Sequence, residues 1–340
     1  MTNFLSNISK YSVVSIIGLA KNVSKTTTLN YIIKNLTDYK LALTSIGRDG
    51  EKYDVITQLP KPRIYIKKGT IIATARQSYE ASEIEMELIK TTEFNTPIGE
   101  VLILKALSDG LVELAGPSTN RALKKLCLEL KDLGCDLILI DGAFDRRSYA
   151  TPIISDATIL STGASVSENM QDVINLTVHT IDLLNLENER NKEILDIAKE
   201  IFKKAKVGII DSQNNIKLLN ILTPLDAAKD ISKELDEKSK FIVINGAITD
   251  KLLKDLMRLT ERYKGVTLLV KDATKIFLTK LIKDKFQKKG GIIKVLHSIK
   301  IIAVTINPTS PLGYQFGKED FLNLMKKKLD IPVYDLGPGN

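Results

Sequence analysis

The stretch GLAKNVSKTTTLN, residues 18–30, holds the residue types of a phosphate-binding turn: a glycine, small and polar residues, then Lys25, Thr26 and Thr27. Such a turn works because backbone N–H groups converge on an anion at a helix N-terminus, with an ammonium group beside them. The usual spacing, G-x4-G-K-[ST], places a glycine six residues before the lysine. Here Gly18 stands seven before Lys25, and Ser24 occupies the second glycine position. In this reading Lys25 contacts β- and γ-phosphates, Thr26 ligates Mg²⁺ and Thr27 touches the α-phosphate, while Gly18, Lys21, Asn22, Val23 and Ser24 form the turn. A serine can hold the glycine's backbone angles only where φ is not positive, and the turn is expected to keep its shape. The plainer alternative is a serine- and threonine-rich helix start with ordinary capping.

The flanking elements suit the chemistry. SVVSIIG (12–18) is a short β-branched run and KTTTLNYIIKNLTD (25–38) has apolar residues at helical spacing, so strand, turn and helix follow directly. DLILIDG (136–142) reads as a strand buried on both faces of a parallel sheet. It ends in Asp141, where a Walker-B carboxylate would hold the Mg²⁺ shell; strand-end capping is the alternative. After KLALTSIG (40–47), the residues Arg48, Asp49 and Glu51 sit in a glycine-flanked loop that is otherwise a plain Asp-Gly β-turn. Lys25, Asp49 and Asp141 are therefore the catalytic candidates, with Thr26, Asp49 and Asp141 as the metal set. All three segments fall at the C-terminal ends of expected parallel strands, where open α/β sheets bind ligands. AGPSTN (115–120) brings Gly116 and Ser118 as crevice candidates, or an N-cap at Ser118 or Thr119. STGASVSEN (161–169) is a similar small-residue loop, and DGAFDRR adds Asp145, Arg146 and Arg147, which could sense a γ-phosphate or pair at the surface.

Elsewhere RIYIKKGTIIATA (63–75) reads as a hairpin around Lys68-Gly69, followed by strand-rich MELIKTTEF, EVLILKAL and LVELAG and by the helix TNRALKKLCLELKDLG (119–134). ATIL (157–160) is a further strand. Residues 167–206 form a long helical zone whose charged middle, NLENERNKEI, is the best boundary. We therefore expect a nucleotide-binding domain over 1–186 and a C-terminal α/β domain over 187–340, the latter with strands in KFIVINGAITD, VTLLVKDATK and IKIIAVTINPTSP. The overall class is α/β: a mostly parallel sheet flanked by helices, with a β-hairpin insertion.

Composition narrows the function classes. The 340 residues are 44% hydrophobic and 26% charged, ordinary for a globular chain. No apolar run reaches the roughly 18 residues of a membrane span, and MTNFLSNISKYS lacks a basic region followed by an apolar core, so a cytoplasmic location is expected. The net charge of +8 comes from 49 basic residues scattered among 41 acidic ones, without the aromatic platforms of nucleic-acid binding. Cys127 and Cys135 have no second pair or nearby histidine and read as buried thiols. His179 and His297 make no local triad. Lys271 and Asp272 resemble a guanine-reading N-K-x-D superficially, but the asparagine is missing, which favours adenine.

Several stretches together resemble a known family. The lengthened turn, G-x5-S-K-T-T here, is similar to the G-x5-G-K-[ST] loop of dethiobiotin-synthetase-like P-loop proteins, with serine in place of the second glycine. In the dethiobiotin-synthetase and ParA-like group a loop carboxylate after the second strand, the segment that holds Asp49 and Glu51 here, orients the attacking water or its metal. SIIGLAKNVSKTTTLNYII, LTSIGRDGE, LAGPSTN and LGCDLILIDGAFDRRSYATPIISDATILSTGASVS resemble the P-loop subunit of the lysine 5,6-aminomutase reactivase, over most of residues 12–185, and INPTSPLGYQF is similar too. The resemblance implies an ATP- and Mg²⁺-dependent repair chaperone that opens an adenosylcobalamin-dependent aminomutase to release damaged cobalamin. It also implies a second subunit resembling the ATPase of MutS proteins, and no membrane. Two other functions fit the same residues: a dethiobiotin-synthetase-like ligase or kinase acting on a small metabolite, and a nucleotide-binding module without turnover.

Overall fold

A computed structural model describes residues 2–46, 63–142 and 154–337 of the chain. The chain divides into two compact units, Met1–Val178 together with Lys300–Asn340, and His179–Ile299.

The first unit starts with helix α1 (Thr2–Ile8), strand β1 (Val13–Gly18), helix α2 (Lys25–Asn35) and strand β2 (Leu41–Ser45). Strands β3 (Ile64–Ile66) and β4 (Ile71–Ala75) and the short helix α3 (Arg76–Glu80) follow. Then come β5 (Met86–Thr96), β6 (Gly99–Ala106), β7 (Gly110–Val112), α4 (Asn120–Asp132), β8 (Leu137–Asp141), β9 (Ala157–Gly163) and α5 (Met170–Leu184), whose residues from His179 on belong to the second unit. Every residue of β1 and β9 is buried, as expected of central strands covered on both faces. Alternation along the strands splits the core in two. Val14, Ile16, Leu137 and Leu139 pack with Leu29, Ile32 and Ile33 of α2, whereas Val13, Ile138 and Ile140 pack with Leu123, Leu126 and Leu130 of α4.

The second unit contains helix α6 (Lys192–Lys204), strands β10 (Val207–Asp211) and β11 (Ile216–Leu219), helix α7 (Ala228–Glu234), and strands β12 (Ser239–Ile244) and β13 (Ile248–Thr249). It continues with α8 (Asp250–Leu259), β14 (Thr267–Asp272), β15 (Ile276–Phe277), α9 (Lys280–Lys288) and β16 (Ile292–His297). Its main sheet runs β11-β10-β12-β14-β16, with the last three strands parallel. Gly208 lets Ile201 of α6 lie directly on this sheet, since a Cβ there would stand 2.9 Å from Ile201.

The chain then returns to the first unit through β17 (Ile301–Asn307), α10 (Lys318–Lys328) and β18 (Val333–Asp335). The large sheet of the described residues is therefore β18-β17-β9-β1-β8-β2-β4-β6-β5, parallel from β18 to β4 and closed by the antiparallel β5–β6 hairpin. This is the α/β class the sequence implies, a large mostly parallel sheet flanked by helices.

Three details differ from the sequence reading. IKIIAVTINPTSP does not belong with 187–299: its buried run pairs with β9, so 300–340 completes the first sheet. The hairpin lies at 86–106 and not at 63–75, because β3 pairs with β7 and β4 pairs with β2 and β6 on either side of the Lys68-Gly69 turn. The helical zone 167–206 is two helices, the second capped by Asn191, whose side chain accepts from the amides of Glu193 and Ile194. Among the described residues no helix is long and apolar enough to cross a membrane.

Candidate functional site

The site grows from the C-terminal edge of the large sheet. Residue pairing sets Ile16 of β1 and Ser45 of β2 opposite Asp141 of β8, and Gly18 opposite Ser161 of β9, so these strand ends lie level. Leu19 N donates to Ser161 O (2.9 Å), which fixes where the chain leaves β1. Gly18 serves by its missing side chain: a Cβ would meet Val23 Cγ2 at 2.7 Å and Lys25 Nζ at 2.9 Å.

The turn between β1 and α2 contains two non-glycine residues in the left-handed region, Asn22 (φ 59°) and Ser24 (φ 64°). This overturns the expectation for Ser24. The position needs the positive φ of a glycine and the serine adopts it, against a cost of roughly 1–2 kcal/mol. The neighbours that hold it are specific. Ser24 O accepts from Thr28 N at 2.9 Å and from Thr28 Oγ1 at 3.0 Å. Thr28 Oγ1 also lies 3.0 Å from Thr305 Oγ1, itself 2.8 Å from Ser161 Oγ, so a buried row of hydroxyls ties the turn to β9 and β17. Asn22 O accepts from Asn307 Nδ2 (3.1 Å) and Ser165 Oγ (3.2 Å).

Alternation of left-handed and helical residues turns successive amides to one side and makes a concavity for an anion. The first amides of an α-helix have no intrahelical acceptor, and the Ser24 side chain does not cap those of α2. No acidic residue occupies that first turn. The ammonium of Lys25 folds back over the turn and donates to Ala20 O at 3.1 Å. Lys21 and Asn22 are exposed, Val23 is buried, and Thr26 and Thr27 are half-buried at the helix start.

Asp141 is half-buried as a residue, yet its Oδ1 is enclosed and meets no hydrogen-bond donor among the described residues. Burial pushes its carboxyl up to about 6, with the positive charge of Lys25 acting in the opposite direction. A carboxylate kept partly desolvated, with one enclosed oxygen unsatisfied among the described residues, is suited to holding an added cation. Among the described residues no cluster of three acidic, His or Cys side chains could hold a metal alone, so a cation here would depend on oxygens from its ligand.

The other candidates separate clearly. Gly116 lies against the end of β2, where a Cβ would stand 2.0 Å from Ser45 O, so close backbone approach explains this glycine. Ser118 is exposed, and the N-cap of α4 is Thr119, which accepts from Ala122 N at 3.2 Å. Arg48, Asp49, Glu51, Asp145, Arg146 and Arg147 lie outside the described residues. Both cysteines are buried free thiols. His179 is buried and its Nε2 meets Leu278 O at 2.7 Å. Asp272 accepts from Thr274 N at 3.0 Å, which accounts for it as the cap of a short turn. Sequence reasoning missed Ser165, Thr305 and Asn307 as partners of the turn. The small-residue loop at 161–169 and the run INPTSP were the only signals, and neither names its partner. A scan of protein-family models and searches of curated proteins and of solved structures returned no match.

Proposed function

We propose that this chain is a P-loop ATPase subunit that binds Mg·ATP at the turn 18–27 and drives reactivation of an adenosylcobalamin-dependent aminomutase. The observation that carries the nucleotide reading is a conjunction at one sheet edge: two left-handed residues, a helix start that the Ser24 side chain does not cap, the Lys25 ammonium, and Asp141 with an enclosed oxygen unpartnered among the described residues. The residues fit the group. Lys25 would swing from Ala20 O to the β- and γ-phosphates, and the amides of the turn would face the phosphate oxygens. Thr26 and Asp141 would hold Mg²⁺, with Asp49 as the expected third member. Bound Mg²⁺ supplies neutralisation of developing charge on the phosphates. Asp141, with its carboxyl at about 6, is mostly ionised at neutral pH and so available to a cation.

The reactivase role rests on the resemblance of the segments quoted above. Physically it requires ATP to favour one of two conformations, because a ligand shifts an equilibrium only through differential affinity. The expected partners are the aminomutase and a MutS-like second subunit. The test has two stages. Mg·ATP at a hundredfold over its Kd should stabilise the chain by about 2.7 kcal/mol, read as a raised melting temperature that Lys25→Ala removes. Hydrolysis should then rise when an inactivated aminomutase is added, with release of corrinoid. No shift at millimolar ATP would count against the nucleotide reading, and hydrolysis indifferent to the mutase would count against the partner.

One observation favours the metabolite ligase or kinase as a second reading. The second unit has a cavity of about 410 Å³ lined by Phe202, Lys203, Lys204, Lys206, Leu218 and Asn245, which is in the size range of small-molecule sites. Phosphoryl transfer from ATP to a small anionic acceptor in a metabolite screen would select that reading.

A further inference from the structure

The Asn22 carbonyl is gripped by two donors that are remote in sequence: Asn307 at the end of β17 and Ser165 in the turn after β9. In a trans peptide the C=O and the following N–H point to opposite sides of the chain. Holding the Asn22 oxygen from behind therefore turns the Val23 N–H the other way. The fold makes room for this contact. A Cβ at Gly163 would stand 2.2 Å from Asn307 O and 2.9 Å from Asn307 Cβ, so only glycine lets the end of β17 come this close to β9. Behind Asn307 the chain is tied down by Tyr314 OH donating to Ala164 O (2.9 Å) and Phe316 N donating to Pro308 O (2.8 Å).

We infer that Asn307 and Ser165 are positioning residues for the anion-binding turn: they lock the Asn22–Val23 peptide so that the Val23 amide faces the bound phosphate. The inference rests on the triphosphate reading above and adds to it two residues from outside the turn. A left-handed asparagine is permitted but not self-enforcing. Without its donors the peptide is free to rotate, and an amide that rotates is no longer pre-organised for the anion.

The test uses the full chain and Mg·ATP. Titration calorimetry gives Kd, ligand-free melting gives fold integrity, and the amide resonance of Val23 reports its contact with the nucleotide. Asn307→Ala should raise Kd about tenfold, the effect of losing one hydrogen bond's worth of orientation, and Ser165→Ala should act in the same direction. In both, the nucleotide-induced shift of the Val23 amide should shrink while ligand-free melting stays within a degree or two. Ser165→Thr, which keeps a hydroxyl, should bind as the parent does. If Asn307→Ala does not fold, Asn307→Asp keeps the shape, removes the donor and carries the same expectation. Parental Kd and an intact Val23 shift in the Asn307 and Ser165 variants, with binding lost in Lys25→Ala, would overturn this inference and leave the triphosphate reading standing. Parental binding by Lys25→Ala, or no binding by the parent, would overturn both.

Discussion

Ser24 and Asp141 show how single residues are held away from their relaxed states. A glycine at 24 would relieve the left-handed strain of roughly 1–2 kcal/mol but would add unfolded-chain entropy of roughly 0.5–1 kcal/mol. Ser24→Gly is thus expected to stabilise the fold by between about 0 and 1.5 kcal/mol, as read by denaturant titration. Asp141 follows an explicit pH rule. Its folded carboxyl, at about 6, lies above the ordinary value of 3.8. The folded state therefore binds the extra proton, and stability falls as pH rises from about 4 to 6 and stays reduced above. The shift corresponds to at most about 3 kcal/mol. Asp141→Asn should raise the melting temperature at pH 7, leave it nearly unchanged at pH 4, and weaken Mg²⁺-dependent nucleotide binding. Lower stability of that variant at pH 7 would show that the carboxylate has a partner in the fold and is not kept for a ligand.

At the scale of elements, the site depends on helices docked on opposite faces of one sheet. Helix α4 is fixed at its start by Thr119, and Thr119→Ala should cost about 1 kcal/mol in thermal or chemical unfolding, with Thr119→Ser restoring most of it. The same helix carries Cys127, whose thiol burial pushes up to about 12, and is followed by Cys135, whose thiol is also raised by burial. Thiolate is the reactive form. Labelling of the native protein by a thiol reagent at pH 8 should therefore be slow and should accelerate only under conditions that unfold the first unit. Rapid labelling of the native chain would mean that α4 opens locally.

At the scale of the molecule, the first unit is discontinuous. A fragment ending at residue 186 lacks β17, and with it one of the two parallel partners of β9, the hydroxyl of Thr305 and the amide donor of Asn307. It leaves a long apolar strand edge unpaired. Such a fragment is expected to aggregate or to melt without cooperativity. The continuous segment 179–299 has its own five-stranded sheet and core, and is expected to fold alone with a single cooperative transition. Circular dichroism melts of the two fragments check both outcomes.

What the sequence determined by itself was local: buried runs such as SVVSIIG and DLILIDG, the helix after Lys25, and the chemistry offered by Lys25, Thr26 and Asp141. These were legible because strand burial, helical period and strand-to-helix turns are written in neighbouring residues. Tertiary structure alone decided the rest. Whether IIAVTI pairs with β9 or with a strand of the second unit is a choice between apolar runs of equal merit, and no neighbouring residue makes it. The backbone angle of Ser24 is not set by serine's own preference either. Thr28, 4 residues on, donates to its carbonyl from both amide and hydroxyl, and that hydroxyl is itself held by Thr305, 277 residues beyond, so several hydrogen bonds oppose one disfavoured torsion.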